Sequence, residues 1–474
     1  MHISDQSMSS PETDITSGLS GQRAFARKLE KIVFFGLLGT FLLLAITPAN
    51  VDSPSKWLFV VTISIWAGLR FLEGVLRAPF SLSEPLLLAP LFGILLLSIL
   101  QILPFDSWSS SFEAQRTISL DEFETRKFIV IYSGLLLTFE VLLRYTVTRA
   151  RLLALICSVL AIGAGSALFG LFRQLISENA TSGVSSLVNL QPHYAQFANR
   201  NHFALLIEMC IGLLWGLLLK GKMQVSLKLF GCILMALFFL AIISANSRGG
   251  IITTLGLGVM ALFAHLFTQK KPSSRRTRTE TKFSGLMRYL KTGFAALILS
   301  VLLLGASVLT IVLIGGDTVM RRIETLNSEL DPDGNHRIRR REIWGSTLEL
   351  IKEHPVAGVG FGAYPAAITK YDTSPGYFKL EQAHNDYLEV LANGGLPALL
   401  LVLIFLIVVL KKAVRQLAAK DYLRQGTCFG AMLGITGVLI HSMFDFGMQV
   451  PINTIVFMIL VTIATRPMVK AEES

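Results

Sequence analysis

Residues 382–410 read QAHNDYLEVLANGGLPALLLVLIFLIVVL, where a polar segment turns into an unbroken apolar run. His384, Asn385 and Asp386 lie in the polar part, a few residues before the run begins. With its flanking residues, the run has the length and character of a helix in the hydrocarbon core of a membrane. The stretch therefore predicts that polar side chains capable of chemistry lie at the end of a helical bundle, at a membrane surface.

The rest of the chain shares this apolar character. It is 52% hydrophobic with a mean hydropathy of +0.58, and 16% of its residues are charged. A soluble domain carries about 25% charged residues. The apolar residues come in long blocks, which predicts a polytopic membrane protein. Because backbone groups in lipid must be hydrogen-bonded within the protein, the blocks are expected to be helices and the fold class all-α.

Twelve transmembrane helices are predicted, with one long extracytoplasmic loop that contains short amphipathic helices. The predicted spans are 32–48, 57–76, 84–103, 128–144, 152–172, 201–219, 228–245, 249–268, 293–315, 394–411, 427–445 and 450–466. Lys and Arg are concentrated in the short loops on one side, so both termini are predicted to be cytoplasmic. The predicted organisation is a disordered cytoplasmic tail (1–31), helices 1–9 (32–315), a periplasmic loop (316–393), helices 10–12 (394–466) and a cytoplasmic tail (467–474).

The net charge of +11 fits the cytoplasmic excess of Lys and Arg in a membrane protein better than it fits nucleic-acid binding. The four cysteines all lie inside apolar blocks and lack metal-ligand spacing, so we interpret them as small buried hydrophobic residues. They are Cys157, Cys210, Cys232 and Cys428. Because the histidines are also dispersed, the sequence predicts metal-independent chemistry without a cofactor.

The long loop contains two recognisable segments. Residues 341–354 are predicted to form an amphipathic helix with Trp344, Leu348 and Ile351 on one face, which could lie flat on the membrane. The glycine-rich segment 358–362 follows Pro355 and predicts a tight turn. It lacks the Lys and Ser/Thr of a phosphate-binding P-loop, so we discard nucleotide binding.

Several ionisable and amide side chains are candidates for a functional site. His384 can accept a proton at neutral pH, and with Asn385 and Asp386 beside it we favour a functional role over a structural interfacial one. His441 and Asp445 are spaced i, i+4 near the outer end of the eleventh span, so they are expected to share a helix face. Glu140 and Glu208 are weaker candidates within spans.

Arginines on the predicted outer side are candidates for anion binding. Arg248 lies in a very short turn between two apolar blocks, and a guanidinium can bind phosphate with two hydrogen bonds. The alternative for Arg248 is contact with lipid headgroups. A second basic group lies in the long loop and consists of Arg337, Arg339, Arg340 and Arg341. Together with these, the outer helix ends carry Arg200, Asn201 and His202. This clustering predicts an outward-facing site.

The run His384-Asn385-Asp386-Tyr387-Leu388, with the following 394–397 (GGLP), resembles the signature of the O-antigen ligase and polymerase superfamily. Supporting stretches match at 197–203, 247–250, 340–344, 355–362 and 441–446. The order of these motifs around one long loop also fits. The motifs are specific for the superfamily as a set and do not separate its members.

The resemblance implies a bacterial inner-membrane glycosyltransferase that works on the periplasmic face. Its donor would be an undecaprenyl-diphosphate-linked glycan, whose undecaprenyl chain lies among the membrane lipid. By the same resemblance, His384 would be the base that activates an acceptor hydroxyl, and Arg248 with Arg340 or Arg341 would hold the diphosphate. Asn201 and His202 would shape the donor site. The acceptor stays open among lipid A core, as in lipopolysaccharide ligation, another repeat unit, as in a polymerase, and a protein hydroxyl.

A lipid or polysaccharide transporter is the alternative from another functional class. Twelve spans suit a transporter, which usually shows internal repeats and broken helices in matching halves. The sequence has no obvious repeat, and the loop 316–393 has no counterpart in the first half. A membrane scaffold would leave the outward basic and histidine residues unexplained. The residues therefore favour an enzyme.

Overall fold

A computed structural model describes residues 11–49, 54–77, 82–104, 117–179, 194–268, 340–372 and 380–467. These residues form thirteen α-helices and two short 3₁₀ turns. The α-helices are Pro11–Ala45 (α1), Ser55–Arg77 (α2), Pro85–Gln101 (α3), Glu122–Tyr145 (α4), Arg149–Asn179 (α5), Arg200–Lys220 (α6), Val225–Ala245 (α7), Arg248–Thr268 (α8), Arg340–Glu353 (α9), Tyr364–Ala367 (α10), Asp386–Leu417 (α11), Tyr422–His441 (α12) and Pro451–Thr465 (α13).

The predicted fold class, an all-α polytopic membrane protein, is confirmed. Among the described helices, seven are long and apolar enough to cross a membrane, and three shorter apolar helices accompany them. Every predicted span falls largely on a described helix, except the ninth (293–315), which lies outside the described residues.

The predicted disordered tail differs from the structure. Helix α1 begins at Pro11, so residues 11–31 are helical. Proline is favoured at the first position of a helix, and residues 22–31 are mostly good helix formers. Glu30 also contacts Arg77 and Arg151 from neighbouring helices, so this part of α1 packs against the bundle.

Helix α6 is the centre of the bundle, because every residue from His202 to Leu217 is buried. It packs most closely against α12, and small residues make this contact possible. A Cβ atom on Gly216 would lie 2.2 Å from the backbone nitrogen of Gly430, and one on Gly212 would lie 2.3 Å from that of Gly434. Glycines allow close backbone approach between membrane helices, where packing drives association. The antiparallel pair brings the first residues of α6 beside the last residues of α12.

We expect Gly216→Ala to destabilise the protein by about 1–3 kcal/mol, because the added methyl meets backbone atoms of α12 that cannot move aside. Thermal unfolding of the purified protein in detergent measures this change. Gly165→Ala on α5 is the control, since a Cβ there has nothing within 4 Å. Equal melting temperatures for the two variants would contradict the proposed α6–α12 packing.

Ion pairs join the helix ends at the end of the bundle where α1, α2, α4 and α5 meet. Arg70 lies 3.2 Å from both Glu73 and Glu140, so Glu140 belongs to this structural cluster. The full cluster is Glu30, Arg70, Glu73, Arg77, Glu140 and Arg151. A second cluster joins α3, α11 and α13 through Glu84, Lys412 and Arg466. Acidic and basic groups balance in the first cluster, which lowers the cost of burying them.

Helix α11 is broken near its start, and the glycine-rich segment supports the break. Gly395 has φ 64° and ψ −168°, and Pro397 cannot donate a backbone hydrogen bond. In a regular helix the carbonyl of Asn393 would accept from the amide of residue 397. Here it accepts from the Gly360 amide at 3.0 Å and from the Gln101 side chain at 2.8 Å. Backbone groups at a kink need such substitutes. The predicted tight turn at 358–362 is therefore a structural clamp on this kink.

Residues 343–392 have a small hydrophobic core of their own, beside the main bundle. Helix α9 buries Ile343, Leu350 and Ile351 in this core, while Leu348 is 46% exposed. The predicted amphipathic helix is thus present, but its apolar face was assigned wrongly. It turns inward because residues 359–392 provide an apolar partner, so this face is not available to lie on a membrane. We refer to residues 340–392 as the cap.

The interpretation of the cysteines as buried holds for Cys210 and Cys428 and is wrong for Cys157 and Cys232, which are exposed. A helix in a membrane bundle presents apolar side chains to lipid as well as to its neighbours. An apolar block therefore does not tell which of its residues face inward.

Candidate functional site

A single buried carboxylate, that of Asp445, joins four segments that are far apart in the sequence. Its Oδ1 atom lies 3.6 Å from Nδ1 of His384 and 3.6 Å from Nε2 of His202. Its Oδ2 atom accepts a hydrogen bond from the Asn201 side chain at 2.5 Å and lies 3.7 Å from the Arg340 guanidinium. Asp445 itself is only 1% exposed. The start of α6, the start of α9 and the segment just before α11 therefore meet at one acidic group.

The surroundings of Asp445 keep it ionised. Burial alone would raise its pKa, but the facing imidazoles of His202 and His384 outweigh that effect and hold the pKa of Asp445 well below its usual range. Asp445 is thus an anion that orients the groups around it.

His384 combines a buried nitrogen with an open edge. Its Nδ1 atom is buried and faces Asp445, while a third of the side chain is exposed. The exposed surface therefore belongs to other atoms of the side chain. The backbone of His384 has a positive φ of 50°, a conformation that costs a non-glycine residue free energy and is found at functional sites more often than elsewhere.

Several hydrogen bonds hold the backbone around His384. Asn385 caps α11 by accepting from the amides of Tyr387 and Leu388, and its side chain donates to the Met443 carbonyl at 3.0 Å. On the other side of His384, the Ala383 carbonyl accepts from the Trp344 indole at 3.1 Å. An asparagine N-cap of this kind stabilises a helix start by about 1 kcal/mol.

Asp386 is bound to the loop that carries Asp445. The Ser442 hydroxyl donates to the Asp386 carboxylate at 2.7 Å, and the Asp386 amide donates to the Ser442 carbonyl at 2.9 Å. These bonds fix the start of α11 against the end of α12. Asn385 and Asp386 therefore position His384 and Asp445, rather than lying beside them as independent groups.

Phe446 holds the two histidines in place from one side. Both rings pack edge-on against it, with centroid distances of 4.6 Å for His202 and 4.8 Å for His384. His202 is 3% exposed. Its backbone carbonyl accepts a hydrogen bond from the Asn453 side-chain amide at 3.0 Å. His202 is therefore an internal part of the site and His384 is the histidine at its surface.

The turn between α7 and α8 is attached to the same cluster. The Ser247 hydroxyl donates to the side-chain oxygen of Asn201 at 2.8 Å, and the Gly250 amide donates to the Ser247 hydroxyl at 3.2 Å. Arg248 is the first residue of α8 and is exposed. Its position one residue after Ser247 brings it to the edge of the Asp445 cluster.

His441 and Asp445 do not share a helix face, which corrects the prediction from their spacing. Helix α12 ends at His441, and Asp445 lies beyond it in the turn that leads to α13. The two side chains consequently have different partners, because Nδ1 of His441 lies 2.8 Å from Glu208 on α6. A predicted span from 427 to 445 continues the helix four residues too far.

Two of the remaining predicted arginines, Arg341 and Arg200, are sequence neighbours of residues that contact Asp445. Arg341 is exposed on the first turn of α9, next to Arg340. Arg200 is exposed on the first turn of α6, next to Asn201. Arg337 and Arg339 lie outside the described residues.

Sequence reasoning gave no role to several residues that shape the site. Ser247 and Phe446 lie within the motifs, but nothing in their spacing indicated a bond to Asn201 or packing against two histidines. Glu389, which is buried, accepts from the Ala383 amide and from Gln449. A buried acid inside an otherwise apolar run is the one signal that could have indicated it.

The comparisons with known proteins agree with this arrangement. Residues 233–403 match the family model described as O-antigen ligase. Residues 233–403 are therefore similar to O-antigen ligases, which supports the resemblance of this chain to the O-antigen ligase-like superfamily. The matched part, less than half of the chain, includes Arg248, Arg340 and His384. No curated protein matches the chain.

The match does not extend over the whole site. Asn201, His202 and Asp445 lie outside residues 233–403. Asn201 accepts a hydrogen bond from Ser247, and Asp445 lies 3.6 Å from His384, both of which are in the matched part. The start of α6 and the turn after α12 thus complete the cluster. Over the described residues, no group of three or more His, Cys, Asp or Glu side chains is placed to hold a metal ion.

Proposed function

We propose that this chain transfers a glycan from an undecaprenyl-diphosphate-linked donor to an acceptor hydroxyl, with His384 as the general base. The observation that carries the proposal is the pairing of His384 with the buried Asp445, 3.6 Å apart, while a third of the His384 side chain is exposed. An anion behind one ring nitrogen stabilises the imidazolium that forms when the other nitrogen takes a proton.

In the proposed step, the acceptor oxygen forms a bond to the anomeric carbon of the glycan. The bond between that carbon and the diphosphate oxygen breaks, and undecaprenyl diphosphate leaves as an anion. The proton of the acceptor hydroxyl passes to Nε2 of His384, the nitrogen that does not face Asp445. Arg248 and Arg340 stabilise the negative charge that develops on the departing diphosphate, so we propose that the step needs no metal ion.

We further propose that the site faces the periplasm of a bacterial inner membrane and that both termini are cytoplasmic. The ion-pair clusters around Glu30 and Glu84 support this orientation, because they gather Lys and Arg at helix ends away from Asp445. Cytoplasmic loops of membrane proteins are enriched in these residues. In this proposal, residues 316–393 are the periplasmic loop between nine and three transmembrane helices.

The acceptor distinguishes three forms of the same activity: a ligase uses lipid A core, a polymerase another repeat unit, and an oligosaccharyltransferase a protein hydroxyl. Reconstitution of the purified protein into liposomes with the lipid-linked donor and each acceptor in turn would separate them. We expect product with one acceptor and release of undecaprenyl diphosphate in equal amount. Movement of intact donor between leaflets without any transfer would instead support a transporter.

We expect Arg248→Ala and Arg340→Ala each to lower the rate of transfer by about 100-fold, because each removes a cation from the departing diphosphate. Initial rates in the reconstituted assay, with the donor concentration varied, measure this effect. Lys370→Ala is a matched control, since Lys370 is a cation of the cap that pairs with Glu353. Full activity of both arginine variants would refute their contact with diphosphate.

A further inference from the structure

A buried acid and a buried histidine lie directly behind the site, and the proposed reaction uses neither. Oε1 of Glu208 lies 2.8 Å from Nδ1 of His441, with side-chain exposures of 0% and 3%. Glu208 is on the central helix α6, seven residues after Asn201 and thus on the same helix face. Ionisable groups at such depth are costly and are retained mostly where they serve a function.

His441 lies next to the turn that carries Arg248. A Cβ atom placed on Gly249 would come within 4.0 Å of Cε1 of the His441 imidazole, so the ring lines the space beside this glycine. The next residue, Gly250, packs so closely on α6 that a Cβ there would lie 2.6 Å from Cβ of Ala204. Ala204 lies one turn before Glu208, so the same face of α6 supports both Gly250 and the Glu208–His441 pair.

The turn is therefore held at two points. On one side, the Ser247 hydroxyl donates to Asn201 of the Asp445 cluster at 2.8 Å. On the other side, the His441 ring, fixed by Glu208, lies beside Gly249 and limits the movement of the turn in that direction. Arg248 lies between these two points. A long and flexible side chain binds a ligand in one geometry only when its own backbone is held in place.

We propose that Glu208 and His441 form a positioning pair that holds the 246–250 turn so that Arg248 meets the diphosphate of the lipid-linked donor. This inference rests on the proposed function, because it assigns the pair to donor binding. The pair sets the affinity for the diphosphate and not the proton transfer at His384. Loss of either member releases the ring from its place beside Gly249. This removes one restraint on the turn, while those at Ser247 and Gly250 remain.

The test is binding of undecaprenyl diphosphate to the full-length protein in nanodiscs, without glycan and without acceptor. We expect His441→Gln and Glu208→Gln each to weaken binding by about tenfold, and the double variant to be no weaker than either single one. In turnover, KM for the donor should rise by about the same factor, with kcat nearly unchanged. Glu140→Gln is the matched control, since it changes a buried ion-paired glutamate in a different cluster.

Binding is measured on monodisperse protein, so that a loss of folded material does not count as a loss of affinity. If His441→Gln is not recovered folded, Glu208→Asp serves in its place, because it keeps the charge and withdraws the carboxylate by one methylene. If the wild type binds undecaprenyl diphosphate and the variants bind it equally well, this inference is overturned and the proposed function is not. Absence of diphosphate binding by the wild type would overturn the proposed function as well.

Discussion

Replacing His384 by alanine should reduce glycan transfer by about 10²–10⁴-fold, the usual contribution of a general base. The expected loss is in kcat. The acceptor hydroxyl keeps its proton until a base takes it, whereas the donor diphosphate is bound by Arg248 and Arg340. Donor binding should therefore stay close to that of the wild type. His384→Gln should be no more active than His384→Ala, because an amide does not accept a proton at neutral pH.

The first measurement is the initial rate of transfer by wild type and variant at matched protein levels. The second is the amount of lipid-linked donor in cells whose glycan transfer depends on this chain. Intact lipid-linked donor should accumulate while the transferred glycan disappears. His354→Ala is the matched control, because it removes a histidine of the cap that has no part in the cluster. Normal glycan from cells with His384→Ala would make His384 a structural residue and would return the transporter to consideration.

Replacing Asp445 by asparagine should destabilise the protein. The change keeps the size of the side chain but removes the anion that faces His202, His384 and Arg340. Losing a hydrogen bond to a buried charged group costs about 1.5–3 kcal/mol, and Asn201 loses its ionised acceptor here. We also expect transfer to fall by at least about 100-fold, since the imidazolium of His384 is no longer stabilised. Glu349→Gln, on the exposed face of α9, is the control.

The pH dependence of stability identifies this effect. Because the pKa of Asp445 is held below its unfolded value of about 3.9, ionisation of Asp445 stabilises the folded state at all pH values above that value. The contribution is lost only as the pH falls through the lower pKa of the folded state. The difference in melting temperature between wild type and Asp445→Asn should thus be present at neutral pH and narrow as the pH falls below about 4. A difference that disappears near neutral pH would contradict an ionised Asp445.

The helices were predictable because their causes are local. Long apolar blocks require helices in lipid, and the described helices follow the predicted spans. Helix ends were predicted less well. The end of α12 at His441 and the start of α1 at Pro11 depend on where the chain finds partners, and an apolar block does not contain that information.

The residues of the site were also visible in the sequence, because polar groups near membrane helix ends are rare enough to be noticed. The partnerships among them were not. The sequence indicated His384 as a base, but nothing in it indicated that Asp445, 61 positions later, would be its partner. The spacing of His441 and Asp445 even suggested a pairing that the structure replaces with Glu208–His441.

The sequence by itself determined that the chain is a helical membrane protein with a cluster of basic, amide and histidine side chains on one side, because hydropathy and composition act locally along the chain. Only the tertiary structure decided which of those side chains share a carboxylate and which support the others. The physical reason is the close glycine contact between α6 and α12, which brings Asn201, His202 and Asp445 together across more than half of the chain.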